Sequence, residues 1–143
     1  MAKKMVIATH GTLAKGFRDA LDLLAGGADR IITIDAFTVD KNPKQTIERL
    51  MEDSGGDDEF FVFTDVMAGS VNQMFVPYIG QKKLHLVTGI NLALLCQVFL
   101  TLDQLTEEGL REAVDQAQSQ ILYVNDELAK KEKTNGKKDA FFS

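Results

Sequence analysis

The segment Val6-Ile7-Ala8-Thr9-His10-Gly11-Thr12 delivers an imidazole, a glycine and a hydroxyl residue at the end of an apolar run, just before a helical pattern that starts near Leu13. A histidine so placed faces solvent beside the free backbone N–H groups of a helix N-terminus, a setting suited to chemistry on an anion such as a phosphoryl group. A second apolar run, Phe60-Phe61-Val62-Phe63, ends at Thr64-Asp65 and leads through Ala68-Gly69-Ser70 into another helical pattern. A neutral imidazole attacks phosphorus through one nitrogen only if the other carries the proton. A carboxylate that accepts this N–H fixes the tautomer and stabilises the charge that develops on the ring. His10 and Asp65 suit those two roles if the fold brings them together.

Alternation of elements supplies the means. Residues 5 to 9 read as a short buried strand. Leu13, Phe17, Leu21 and Leu24 follow at helical spacing, with Thr12 as N-cap and Gly26-Gly27 as the stop. Arg30 to Ile34 reads as a second strand, and Asn42-Pro43 starts a helix with Ile47, Leu50 and Met51 on its apolar face. After the third strand, Ser70-Val71-Asn72-Gln73 matches a capping box, and Pro77 should kink or end that helix. Leu84 to Val87 is a fourth strand, closed by Thr88-Gly89, and Asn91 caps a Leu-rich helix. Thr106 caps the last helix, with Leu105 and Leu110 as a hydrophobic staple. Its core face is expected to be Leu110, Val114, Ala117, Ile121, Val124 and Leu128.

Strands alternating with helices, and apolar throughout, predict an α/β fold: an open, doubly wound, mainly parallel sheet with helices on both faces. Strand order 2-1-3-4 makes the first and third strands neighbours where the winding reverses, the place where such sheets bind ligands. His10 and Asp65, 55 positions apart, then meet at adjacent strand ends. Gly11-Thr12 and Gly69-Ser70 would offer backbone N–H groups and hydroxyls to phosphoryl oxygens, since phosphoryl transfer asks mainly for positioning and charge stabilisation.

Bulk properties narrow the class. A chain of 143 residues, 45% hydrophobic and 26% charged, is expected to form one globular domain over residues 1–130, followed by a charged tail at 131–143. The net charge of −5 argues against a nucleic-acid partner, and Lys130, Lys131, Lys133, Lys137 and Lys138 are interspersed with acids, as in a solvated tail. Cys96, the single cysteine, lies in an apolar run and reads as a small buried hydrophobe in a reducing, cytoplasmic setting. No window resembles a signal peptide or a membrane span. His85, between Leu84 and Leu86, reads as structural, and Phe60, Phe61 and Phe63 read as core.

The chain resembles the EIIA component of the mannose-type branch of the bacterial phosphoenolpyruvate-dependent sugar phosphotransferase system. The resemblance is carried by T-H-G at 9–11, D-V-M-A-G-S at 65–70 and T-G-I-N at 88–91. It implies a phosphotransferase in which His10 accepts a phosphoryl group from phospho-HPr and passes it to an EIIB component during sugar uptake. It implies Asp65 as the orienting carboxylate, Ser70 as a phosphate-contacting hydroxyl, and Thr9 as a common neighbour of the histidine; with the loop residues read above, the expected phosphate-binding set is Thr9, Gly11, Thr12, Gly69 and Ser70. No cofactor or metal is implied, and the membrane is reached only indirectly, through the transporter complex. In the second loop the family often has two glycines followed by S-P, where this chain has Ala68 for the first glycine and Val71 for the proline. The family is usually dimeric, and Ala140-Phe141-Phe142 is either a segment exchanged between subunits or part of a tail.

Two other readings are open to these residues. A histidine-phosphatase-like hydrolase also places His-Gly after its first strand, but it has an arginine before that histidine, where Thr9 stands here. A non-catalytic flavodoxin-like regulatory or ligand-binding module would share the fold and carry no covalent phosphate.

Overall fold

Four short segments are apolar and rich in β-branched or aromatic residues, and in the computed structural model, which describes residues 2 to 67 and 69 to 135, they are the four strands of one sheet. They are β1 (Lys3–His10), β2 (Ile32–Ala36), β3 (Glu59–Thr64) and β4 (Lys83–Thr88). All pairings are parallel and the order is 2-1-3-4, the expected topology. The helices are α1 (Leu13–Ala25), α2 (Pro43–Glu52), α3 (Ser70–Phe75), α4 (Leu92–Thr101), α5 (Glu107–Gln118) and α6 (Val124–Asn135).

The period of two along each strand divides the core into two layers. Met5, Ile7, Phe61 and Phe63 face α1, α4 and α5 through Leu21, Leu95, Val98 and Leu110. Val6, Ala8, Phe60 and Val62 face α2 and α3 through Ile47, Met51, Val71 and Phe75. Central strands covered on both sides need apolar residues at every position, which is why β1 and β3 read as continuous runs. Each fully buried phenylalanine of β3 contributes about 1.5–3 kcal/mol relative to an exposed one.

Caps follow the expected chemistry at three helices. The Asn42 side chain accepts from the Gln45 N–H at 3.3 Å, that of Asn91 from Leu94 at 2.9 Å, and that of Thr106 from Gly109 at 3.0 Å. Leu105 and Leu110 are both buried, as a staple requires. Pro77 falls in a 3-10 turn at Val76–Tyr78, directly after the six-residue α3.

Four expectations are corrected. The second strand lies two residues later than expected, because Ala28–Arg30 forms a 3-10 turn; it therefore extends to Asp35 and Ala36. In α1 the buried residues are Ala14 and Leu21, with Phe17 partly buried, while Leu13 and Leu24 are exposed. Gly69, not Ser70, is the N-cap of α3. Finally, the last helix is two helices. The backbone N–H of Ser119 and its hydroxyl both donate to the Gln116 carbonyl, which closes α5, and the β-prone residues Ile121, Leu122 and Tyr123 separate it from α6. Ile121 is 78% exposed and Val124 is exposed too, so the core face ends at Ala117.

Cys96 is partly buried against the α1/α4/α5 layer. His85 is a structural residue: its Nε2 lies 2.7 Å from the Glu59 carboxylate, and its ring stacks on Phe61 at 4.7 Å. Among the described residues no helix is long and apolar enough to cross a membrane. Lys137, Lys138 and the segment Ala140-Phe141-Phe142 lie outside the described residues, as does Ala68.

Candidate functional site

Strand β1 carries its apolar run up to Thr9 and releases His10 at its carboxyl end, beside the end of β3. His10 is 43% exposed by side chain and Asp65, one residue past β3, is 14% exposed. Asp65 grips its neighbour at two points: Oδ2 accepts from the His10 backbone N–H and from His10 Nδ1, both at 2.9 Å. The other oxygen, Oδ1, accepts from the Val66 N–H at 3.1 Å. A carboxylate can only accept, so Nδ1 carries a proton, and in the neutral imidazole Nε2 keeps its lone pair. Nε2 has no hydrogen-bond partner among the described residues.

Electrostatics agree with this assignment. Partial burial alone would push the Asp65 carboxyl up, but the hydrogen bonds from the His10 backbone and ring outweigh it, and its pKa lies below the ordinary carboxylate value. Asp65 is therefore ionised at neutral pH and poised to stabilise positive charge on the imidazole.

The N-terminus of α1 is closed from inside the protein. Thr9 is fully buried and its hydroxyl accepts from the Ala14 N–H at 2.7 Å. The buried Asp35, at the end of β2, accepts from the Lys15 N–H at 3.0 Å. Thr12 occupies the N-cap position without a side-chain cap bond, so Thr9 and Asp35 do the capping expected of it. The Gly11 N–H donates to the Ala36 carbonyl at 3.0 Å, with Gly11 at a positive φ of 64°. Thr9 and the Gly11 N–H are thus engaged within the protein, whereas the Thr12 side chain is exposed at the mouth of the site.

The β3–α3 loop forms the opposite wall. Its anchor is the buried Asn72: Oδ1 accepts from the Thr64 hydroxyl at 2.8 Å, and Nδ2 donates to the Met67 carbonyl at 3.3 Å. Gln73 Nε2 donates to the same carbonyl at 3.3 Å. Gly69 lies against the imidazole so closely that a Cβ there would stand 2.8 Å from His10 Cε1 and 2.9 Å from Val66 Cγ2. Its own φ and ψ, −72° and 148°, suit any residue, so the requirement for glycine is one of space. Ser70 is exposed, and its hydroxyl has no partner among the described residues.

Two contributors were not legible as site residues. Asp35 lies just beyond the strand expected at Arg30 to Ile34, and nothing in its type or spacing marks it. Phe37 reads as one apolar residue of a loop, yet its ring lies 5.7 Å from the His10 ring, tilted by 35°. Phe37 has a φ of 70°, a left-handed conformation that costs a non-glycine residue about 1–3 kcal/mol. Asn72 was visible only as part of an expected capping box. Among the described residues no group of three His, Cys, Asp or Glu side chains gathers as metal ligands would.

Comparison with known proteins bears on this geometry. The family model described as PTS system fructose IIA component matches residues 4–115. A solved structure from Klebsiella pneumoniae, described as a phosphoenolpyruvate-dependent sugar phosphotransferase system permease, is 32% identical with a TM-score of 0.80; the match covers 87% of this chain and 93% of that one. Phosphotransferase system component EIIA from Streptococcus agalactiae is 20% identical with a TM-score of 0.73, covering 87% of this chain and 98% of that one. A mannose/sorbose specific IIA subunit from Enterococcus faecalis is 17% identical with a TM-score of 0.73, covering 85% and 94%. The last two likenesses concern the fold alone. No curated protein sequence gives a match.

Proposed function

The chain belongs to the mannose/fructose-type IIA family of the sugar phosphotransferase system, and on that premise we propose that it is a phosphoryl carrier whose acceptor atom is His10 Nε2. The observation that carries this reading is the double hold of Asp65 on His10, which puts the proton of the neutral ring on Nδ1 and leaves Nε2 without a partner among the described residues.

The Nε2 lone pair attacks phosphorus of the donor, phospho-HPr, and forms the N–P bond as the bond to the donor breaks; the donor leaves with the bonding pair. The Nδ1 proton stays on the ring. Positive charge that develops on the imidazole is spread over both nitrogens and stabilised by the Asp65 carboxylate. Transfer to an EIIB component runs the same step in reverse, with the acceptor as nucleophile. The protein contributes mainly position and charge. Gly69 lies beside the ring at Cε1, and the exposed Thr12 and Ser70, at the starts of α1 and α3, are the hydroxyls that would donate to phosphoryl oxygens. Thr9 and Gly11 support the site from behind, by capping α1 and tying the His10 loop to β2.

The exposed apolar side chains Leu13, Val66 and Met67 flank the histidine loop and the Asp65 loop. They suit a site that docks protein partners in turn rather than one that encloses a small substrate. The setting that fits such an exchange is the cytoplasm, and a homodimer accords with the family.

The test is incubation of the full chain with phosphoenolpyruvate, enzyme I and HPr, followed by addition of EIIB. An acid-labile, alkali-stable phosphate on the wild type, its absence in His10→Ala, and its discharge by EIIB are the expected results. Undiminished labelling of His10→Ala, at His85 or elsewhere, overturns the assignment.

A further inference from the structure

The loop that follows β2 holds an exposed aromatic residue in an unfavourable backbone conformation, against the imidazole. The Phe37 N–H donates to the Asp40 carbonyl at 2.8 Å, and the Asp40 N–H donates to the Asp35 carbonyl at 2.9 Å, so the turn is closed from both ends. Asp40 also accepts from the Thr46 hydroxyl and from the Asn42 N–H, which ties the turn to the start of α2. Within this frame Phe37 is the sole non-glycine residue at positive φ among the described residues. Its ring is about half exposed, so burial does not explain why a phenylalanine is kept where glycine or asparagine would sit without strain. Among the described residues, the one aromatic contact of that ring is with His10.

The imidazole has three other neighbours or openings. Asp65 meets Nδ1, Gly69 closes the space beside Cε1, and Nε2 is open. A half-exposed ring held by a single hydrogen bond would otherwise be free to swing about its side-chain torsions. We propose that Phe37 is a positioning residue: strained backbone is retained so that its ring restrains the His10 imidazole in the orientation that keeps Nδ1–H on Asp65 and presents Nε2 as the nucleophile. This rests on the reading of His10 as the phosphoryl acceptor, and it adds a third strand end, that of β2, to a site otherwise built by β1 and β3.

The experiment uses the full chain and two readouts. Nitrogen-15 NMR reports the tautomer of His10 directly, and labelling by phosphoramidate reports its nucleophilicity with no protein partner present. The wild type is expected to show the Nδ1–H tautomer. Phe37→Ala is expected to show mixed tautomers and labelling slower by about tenfold, within the range that misplacement of a reacting group produces. Phe37→Tyr is expected to restore both. Phe37→Gly is expected to show the same loss as alanine with a melting temperature no lower than that of the wild type, because the strain at this φ comes from the Cβ, which glycine lacks. A wild-type tautomer and labelling rate in Phe37→Ala overturn the proposal. So does a loss confined to transfer from phospho-HPr, which would make Phe37 a docking contact, or a large fall in melting temperature in Phe37→Gly, which would make it a packing residue. If the wild type takes no phosphate from phosphoramidate or from phospho-HPr, the carrier reading fails, while the tautomer measurement still decides whether Phe37 positions the ring.

Discussion

One oxygen of Asp65 accepts from both the backbone and the ring of His10, at 2.9 Å in each case. The backbone bond ties the end of β1 to the end of β3, and the ring bond uses that fixed distance to set a tautomer. Asp65 is thus a structural tie and a chemical partner at once, and substitutions there separate the two roles.

Asp65→Asn keeps the size of the side chain but cannot accept at both oxygens. With its amide toward His10 it favours the unprotonated Nδ1, and Nε2 then carries the proton. Labelling of His10 should fall by about 100-fold or more, as when the orienting carboxylate of a histidine is replaced in other nucleophilic sites. Circular dichroism should show an unchanged fold. Labelling at the wild-type rate would remove Asp65 from the mechanism.

The lowered pKa of Asp65 also makes a statement about stability. A carboxyl group that is more acidic folded than unfolded contributes stability above its unfolded pKa and loses it as pH falls through the folded value. Urea unfolding of the wild type should therefore weaken as pH drops below about 4. The difference between the wild type and Asp65→Asn should shrink over the same window. A difference that is constant down to pH 2 would contradict an ionised Asp65 held by these hydrogen bonds.

Gly69→Ala tests space without torsion. The backbone at Gly69 suits alanine, but the new methyl group would meet His10 Cε1 at 2.8 Å, and the ring is the movable party. Overpacking of this kind costs typically 1–3 kcal/mol, so the protein should remain folded. Phosphorylation should suffer more than stability, which labelling rates and thermal melts on one sample can compare.

Asn72 holds the Asp65 loop from beneath. Asn72→Ala leaves the buried Thr64 hydroxyl and the Met67 carbonyl without that partner, at a cost of about 1–3 kcal/mol. Thr64→Val in the same chain should recover part of it, because one orphaned group is then absent. A double-mutant cycle by urea unfolding would show the coupling, and additive effects would refute the bond.

The end of α5 offers a contrast in stability. Leu110 is 7% exposed, and Leu110→Ala should cost about 2–5 kcal/mol. Ile121→Ser should stay within about 0.5 kcal/mol of the wild type, because Ile121 projects into solvent beyond the helix end. Equal costs would mean that Ile121 is core, as its spacing from Ala117 suggests.

That last case shows where periodicity misleads. Ile121 and Val124 continue the 3–4 spacing of Leu110, Val114 and Ala117, yet Ser119 closes the helix before the pattern reaches them. Apolar spacing reports which residues could share a helical face, and the backbone bonds at the helix end decide whether they do. The same limit explains α1: Thr12 has the right type and place for a cap, but Thr9 and Asp35 reach the free N–H groups first.

The sequence by itself determined the alternation of strands and helices, the parallel sheet in the order 2-1-3-4, and the meeting of His10 with Asp65 at adjacent strand ends, because apolar runs, glycines and caps act locally and parallel crossovers admit few topologies. Tertiary structure alone decided the surroundings of the imidazole. Asp35 lies in a strand that ends two residues later than its sequence implies and Phe37 in the loop just after it, and the need for glycine at position 69 exists because the His10 ring and Val66 lie against it. Distances across the site depend on how three strand ends converge, and local propensity carries no record of that convergence.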